Sequence, residues 1–386
     1  MKYTILLIVI YLAFISLGLP DGVFGVAWPD MRVDFSMPLA TAGMISIFVM
    51  SFSAISSFSS GRILKRFGTG RVTFISCLMT GLALLGYSKA PSFAWLMVMT
   101  LPLGLGQGAV DSGLNNYVAK NYSSRHMSWL HCCWGIGASL GPFIMTKTLA
   151  ANKEWRSGYV TIATMQLILA AIFLMSLKLW KSEEAPKLVE SHKTLERGKT
   201  SILKSISPWL GILMFFFYAG TEYSVGLWAN SMLVESRNIP KEISGLWISY
   251  YYGALMLGRF VTGIIVNKLG NRKVIRLGIM IAVLGAILLY IPLGSAVTMS
   301  ALMLIGFGFA PIYPCMMHET PRRFDEDTTK TLIGYQVGAA CIGGSALSAS
   351  LGLIFSKTSL EALAPSLLVL LLTMVFISEW LNKRTV

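Results

Sequence analysis

The sequence predicts an all-α membrane protein of twelve transmembrane helices in two pseudo-symmetric six-helix bundles. Three observations lead there. Only 13% of the 386 residues are charged and 54% are hydrophobic, whereas a soluble chain carries about a quarter charged; the mean hydropathy is +0.65. Apolar windows of about 20 residues, the length a bilayer core requires, begin near residues 5, 39, 72, 93, 127, 158, 209, 243, 273, 296, 328 and 361. Glycines also recur at an offset of 202, pairing Gly18 with Gly220, Gly43 with Gly245, Gly61 with Gly263, Gly68 with Gly270, Gly104 with Gly306, Gly106 with Gly308 and Gly141 with Gly343. Chance gives roughly 1.7 such coincidences, so the halves are expected to be structural copies.

The first window follows a single lysine and runs to Trp28 without a small-residue cleavage pattern, so it reads as an uncleaved span rather than a secretory leader. Between the windows lie basic clusters, and these assign the connections to sides. Lys2, GRILKRFGTGR, AKNYSSRH, Lys178, the 181–204 segment, NKLGNRKVIR, PRRFDEDTTK and NKRTV together hold 23 of the 32 basic residues, and the opposite connections hold 8. Both termini are therefore expected in the cytoplasm. The net charge of +14 is spread over these loops rather than gathered on one face, which argues against a nucleic-acid partner. The one long polar stretch, 181–204, divides the chain into an N-terminal bundle (1–180) and a C-terminal bundle (205–386).

Two parallel six-helix copies describe a secondary transporter with its site near the midplane between the halves. Four residues deep in the expected spans are charged: Asp21, Asp111, Glu222 and Arg259. An ionised acid at the bilayer centre costs roughly 2.5 to 3.5 kcal/mol on insertion scales, so each must be protonated, paired or wet. Such residues mark substrate or ion pathways by default. Asp21 follows Pro20, which frees backbone carbonyls in the helix. Glu222 lies one position from the repeat mate of Asp21, so the two acids are expected to face each other across a central cavity. Asp21, Asp111 and Glu222 are read as proton-coupling groups. Arg259 is read either as a gating latch or as a structural ion pair snorkelling toward the headgroups.

A cavity for a hydroxylated solute needs aromatic faces and bidentate polar groups. Gln107, Asn115 and Asn116 near Asp111, Trp228 and Asn230 near Glu222, and Tyr251, Tyr313 and Gln336 on later spans are the candidates. His131 and Trp134, in WLHCCWG, lie one to two turns into the fifth span, where a histidine has either a proton-moving or a hydrogen-bonded structural role. His318 and Glu319 are expected to be solvated at the mouth of the tenth span. The five cysteines lack metal-ligand or disulfide spacing and read as packing residues. GLGQG lies inside a span without a preceding strand or a Lys-Ser or Lys-Thr pair, so it is no nucleotide loop. No cofactor or metal is implied, and the energy source is expected to be a gradient.

GRILKRFGTGR (61–71) resembles the loop after the second span in the major facilitator superfamily, G-x-x-x-D-R/K-x-G-R-R/K, with Lys65 at the acidic position and Asn267 in the second copy. GLGQGAVDSGLNNYV, SWLHCCWGIGASLGP, FYAGTEYSVGLW, GFGFAPIYP, TPRRF and GYQVGAACIGG resemble the branch of fucose-proton symporters and bacterial glucose permeases. The resemblance implies the major facilitator fold, a bacterial cytoplasmic membrane location, a monomer, and proton-linked acids at Asp21 and at Asp111, where the family often has Glu. The function expected is uptake of a sugar or similar small polar solute in symport with protons, with sodium as the alternative coupling ion. The competing reading is export of amphipathic drugs by proton antiport; GASLGP echoes part of that pattern, but Pro102 stands where drug antiporters usually carry arginine. A lipid flippase or a receptor fits less well.

Overall fold

A computed structural model describes residues 2–121, 124–151, 153–180, 205–291, 293–324 and 326–385. The expected 181–204 linker lies outside them. The first copy contributes α1 (Lys2–Gly18), α2 (Val23–Asp34), α3 (Thr41–Phe67), α4 (Thr69–Ser88), α5 (Phe93–Asn121), α6 (Ser124–Ala150) and α7 (Trp155–Trp180). The second contributes α8 (Ile206–Ser231), α9 (Lys241–Leu269), α10 (Asn271–Tyr290), α11 (Ser295–Phe309), α12 (Ile312–Arg323), α13 (Glu326–Lys357) and α14 (Leu363–Arg384). The described residues contain no strand. An all-helical chain suits lipid, because a helix satisfies its backbone polar groups within its own segment.

Ten stretches are long and apolar enough to cross a membrane, with α1–α2 and α11–α12 each counted as one broken span. The helices α6 and α9, of 27 and 29 residues, are of spanning length but less apolar, and with them the architecture is consistent with the expected twelve. Their composition follows from their place. The two pack against each other along a seam between the halves, where the Ser249 hydroxyl donates to the Ser139 carbonyl at 2.7 Å. The α3–α13 pair and the α2–α8 pair form the other seams.

The first span breaks where the sequence places Pro20. The residue at the break is Gly22, whose φ of 73° suits a residue without a side chain. A Cβ there would also meet the Tyr252 ring at 2.5 Å. A second break, in the tenth span, falls at Ala310–Pro311, between α11 and α12.

Even numbers of passes place both described termini at one end of the bundle, the near end. At the far end the halves are sealed. Arg32 grips Glu235 with two hydrogen bonds, the longer at 3.1 Å, Lys241 pairs with Asp30, and the Asn230 amide donates to the Val26 carbonyl at 3.0 Å. Each copy also carries its own far-end clasp, with the charges exchanged. In the first, Arg156 and the Trp155 indole both donate to Asp34, at 2.6 and 2.7 Å. In the second, Arg237 pairs with Glu361 at 2.7 Å and donates to Thr298 and the Leu289 carbonyl.

At the near end the expectation for Glu319 is corrected. It is 5% exposed, and it accepts from Asn271 at 3.1 Å, Arg272 at 3.0 Å and Arg323 at 3.4 Å. An ionised carboxylate stays buried only with such partners, and the α10 and α12 termini converge to supply them. His318 is exposed, as expected. Of the cysteines, Cys77 is buried and donates to the Gln166 carbonyl at 3.2 Å, a packing role like the one the sequence suggests.

Candidate functional site: a cavity between the two halves

Beneath the far-end seal lies a cavity enclosing about 930 Å³ of empty space, including its part open to solvent. Asp21 enters it from the break between α1 and α2, and Glu222 enters it from α8. The expected opposition of two acids, one from each copy, is thus realised. Gln107, Trp134, Tyr252, Tyr223 and Ser348 supply further polar wall, and Phe24, Ile45, Val49, Met50 and Leu103 supply the apolar wall.

Trp134 links the charges. Its indole nitrogen donates to the Asp21 carboxylate at 2.8 Å, and the Arg259 guanidinium lies 4.7 Å from its ring centroid. The negative face of the aromatic ring attracts the cation. One side chain of the first copy therefore touches an acid of its own half and the arginine of the other. The far oxygen of Glu222, Oε2, is buried without a hydrogen-bond partner. So are the hydroxyls of Tyr87 and Tyr159, two tyrosines of the cavity wall whose rings pack 5.4 Å apart. A buried polar atom left unpaired costs about 1 to 3 kcal/mol. Three in one cavity wall make a surface that a hydroxylated solute would satisfy.

The other expected residues divide. Asp111 lies on α5 one turn beyond Gln107; it is exposed and accepts from the Asn115 amide at 2.9 Å. It stands on the near-end side of the cavity lining rather than within it. Tyr251 is fully buried behind the wall, its hydroxyl 3.4 Å from the Glu222 carbonyl, and Tyr313 packs on Phe215 and Tyr218. Trp228, Asn230 and Gln336 lie away from the cavity. The Trp228 indole is spent on the Ser348 carbonyl at 2.8 Å, Asn230 on the far-end seal, and Gln336 accepts from Thr320 at 3.1 Å. A polar side chain in a helix needs a partner wherever it points, so helix spacing alone does not distinguish cavity from seam. The side chain of Asn116 lies outside the described residues. His131 packs edge-on against Phe14.

Tyr87, Tyr159 and Tyr252 were not among the sequence candidates, and Trp134 was singled out without a role. Nothing in their local pattern distinguishes them from packing aromatics. Among the described residues, no cluster of three His, Cys, Asp or Glu side chains has metal-holding geometry.

Comparison with known proteins agrees with the fold. The chain is 23% identical over 322 residues to a glucose/mannose transporter of Bacillus subtilis, covering 79% of this chain and 78% of that protein. It is 23% identical over 340 residues to a putative glucose/galactose transporter of Helicobacter pylori, covering 82% and 81%. The crystal structure of a nucleoside transporter superposes with a TM-score of 0.81 at 12% identity, covering 99% of this chain and all of that one. A bacterial homolog of the lysosomal transporter Spinster, solved in an inward-facing and occupied conformation, superposes with a TM-score of 0.70 at 13% identity, covering 100% and 97%. The Major Facilitator Superfamily profile matches residues 10–348, and this chain belongs to the Major Facilitator Superfamily and is a multi-pass membrane transporter of small molecules rather than an enzyme.

Proposed function

We propose that this transporter carries a sugar or similar small polar solute into the cell in symport with protons, by alternating access between bundles 1–180 and 205–386. What carries the reading is the cavity itself: Asp21 and Glu222 face it from opposite copies, and three buried polar atoms in its wall await partners. Neutral polyols offer both donors and acceptors, as that wall requires. Two of the relatives described above are named for hexoses.

In this reading the protein works as a monomer in the bacterial cytoplasmic membrane, with both termini in the cytoplasm. The sealed far end then faces outward, and the structure is the inward-facing state. Protons load onto Asp21 and Glu222 with the solute when the cavity faces outward, and Asp111 relays them to the cytoplasmic exit. Arg259 serves as the gate. While Asp21 is ionised it holds Trp134, and Trp134 holds Arg259; when Asp21 is protonated the charge-assisted bond weakens and the seam between α6 and α9 is free to rock. One charge crossing 150 mV supplies about 3.5 kcal/mol, enough for roughly 300-fold accumulation of a neutral solute. One proton per solute suffices.

The test is purified protein in vesicles with a panel of hexoses, pentoses and nucleosides and a pH-sensitive dye. Adding the transported sugar should alkalinise the external medium, and Asp21→Asn or Glu222→Gln should abolish accumulation while leaving solute exchange. Dye efflux driven by an inward proton gradient, with no response to any sugar, would overturn the proposal in favour of drug antiport.

A further inference from the structure

At the near end, well away from the central cavity, the start of α10 and the end of α14 enclose a groove of about 590 Å³, including open solvent, lined by Arg272, Lys273, Arg276, Glu379, Asn382 and Lys383. Four cations face one anion there. The first turn of a helix favours acids, because the unpaired amides and the macrodipole place positive charge at that end. Yet α10 opens with Asn271, Arg272 and Lys273 and has no acidic residue in its first turn. Glu319 supplies an acid from α12, accepting from Asn271 and Arg272, and Lys273, Arg276 and Lys383 are left facing Glu379 as the one acid that lines the groove.

Arg272 is committed to Glu319 and to the Thr385 carbonyl, and Arg276 to Glu379 at 2.5 and 2.7 Å. Lys273 and Lys383 are exposed. The ion pairs thus build the walls and leave ammonium groups at the rim. Below the groove, toward the membrane interior, both helices expose apolar side chains: Leu277, Met280 and Leu284 on α10, and Phe376, Leu372 and Val369 on α14. Phosphate-binding chemistry therefore sits directly above a surface for acyl chains.

The other copy supplies a contrast. The repeat mate of Arg272 is Gly70, and there the junction is filled by Trp180, whose ring lies against Gly70 and whose indole bonds to Ser176. Two copies of one fold have diverged at this place, one to a packed aromatic plug and one to an open basic groove.

We infer that the groove between α10 and α14 binds the headgroup of an anionic phospholipid, its phosphate held by Lys273, Arg276 and Lys383 and its chains lying along the exposed apolar faces of the two helices. Clusters of basic residues between helices at a membrane surface bind such headgroups, each charge adding to the affinity.

Native mass spectrometry of the full chain, released from micelles doped with increasing dioleoyl phosphatidylglycerol, tests this. One tightly retained lipid is expected, and Lys273→Gln, Arg276→Gln and Lys383→Gln combined should raise the half-saturating concentration roughly 100-fold. The double variant Lys273→Gln, Lys383→Gln leaves the Arg276–Glu379 pair intact and should raise it roughly 25-fold. Arg62→Gln with Arg66→Gln, basic positions of the other copy, should leave it unchanged. Retention by the triple and double variants equal to that of the unaltered chain, equal retention of dioleoyl phosphatidylcholine, or displacement of the lipid by millimolar inorganic phosphate would each overturn the assignment.

Discussion

Three side-chain atoms of the cavity wall are buried and unpaired: Oε2 of Glu222 and the hydroxyls of Tyr87 and Tyr159. If they take hydrogen bonds from a bound solute, removing one hydroxyl removes one bond of about 0.5 to 1.5 kcal/mol. Tyr159→Phe is therefore expected to raise KM for the solute by roughly 2- to 10-fold while leaving thermal stability unchanged or improved, since the deleted group is unsatisfied in the folded chain. Uptake kinetics with a melting curve separate the two effects. Trp134 works differently, because its nitrogen and its ring serve different partners. Trp134→Phe keeps a ring for Arg259 and loses only the donor to Asp21, so gradient-driven uptake should fall about tenfold, as for a lost bond to a charged group. Trp134→Ala, which also strips the ring from Arg259, should fall further. Equal losses in the two variants would show that the contact between the ring and Arg259 contributes nothing.

At the scale of elements, the broken first span and the far-end clasps set the geometry. Gly22 holds a left-handed backbone beside the Tyr252 ring, so Gly22→Ala combines a conformational cost of about 1 to 2 kcal/mol with a collision. A lowered melting temperature and weakened solute binding should appear together, because the break that strains is the one that aims Asp21. The clasps predict an asymmetry between the copies. Arg237 is 14% exposed and holds Glu361, Thr298 and the Leu289 carbonyl, whereas Arg156 is 30% exposed and holds chiefly Asp34. Removing a more buried, more extensively bonded charge costs more. Arg237→Ala should destabilise the detergent-solubilised protein by about 2 to 3 kcal/mol and Arg156→Ala by about 1; the reverse order would contradict the placement.

For the whole molecule, the far-end seal holds the halves in one orientation through Arg32–Glu235 and Lys241–Asp30. Partly exposed pairs contribute about 0.2 to 1 kcal/mol each. Losing both, in Glu235→Gln with Asp30→Asn, should shift the balance between the two orientations by roughly 2- to 30-fold toward the far-end-open state. Distances between spin labels on α2 and α9 at that end should lengthen accordingly. Exchanging the charges, Arg32→Glu with Glu235→Arg, should restore the original distribution, and a failure of both variants to move it would leave the seal to apolar packing alone.

The sequence by itself determined the membrane class, the repeat and the break at Pro20, because each is written in local quantities: apolar length, glycine spacing, and a residue that lacks a backbone donor. It also placed Asp21 and Glu222 opposite each other, since repeat symmetry converts a position in one half into a position in the other. Only the tertiary structure decided which polar residues reach the cavity. Trp228, Asn230 and Gln336 carry the same chemistry as Gln107, yet their hydrogen bonds go to neighbouring helices, and Tyr87 and Tyr159 turn inward from spans that read as plain packing. The physical reason is that a helix presents its side chains all the way round, and whether a given face meets a neighbour, lipid or a cavity is set by how the helices are rotated against one another, a property of the assembled bundles rather than of any stretch of chain.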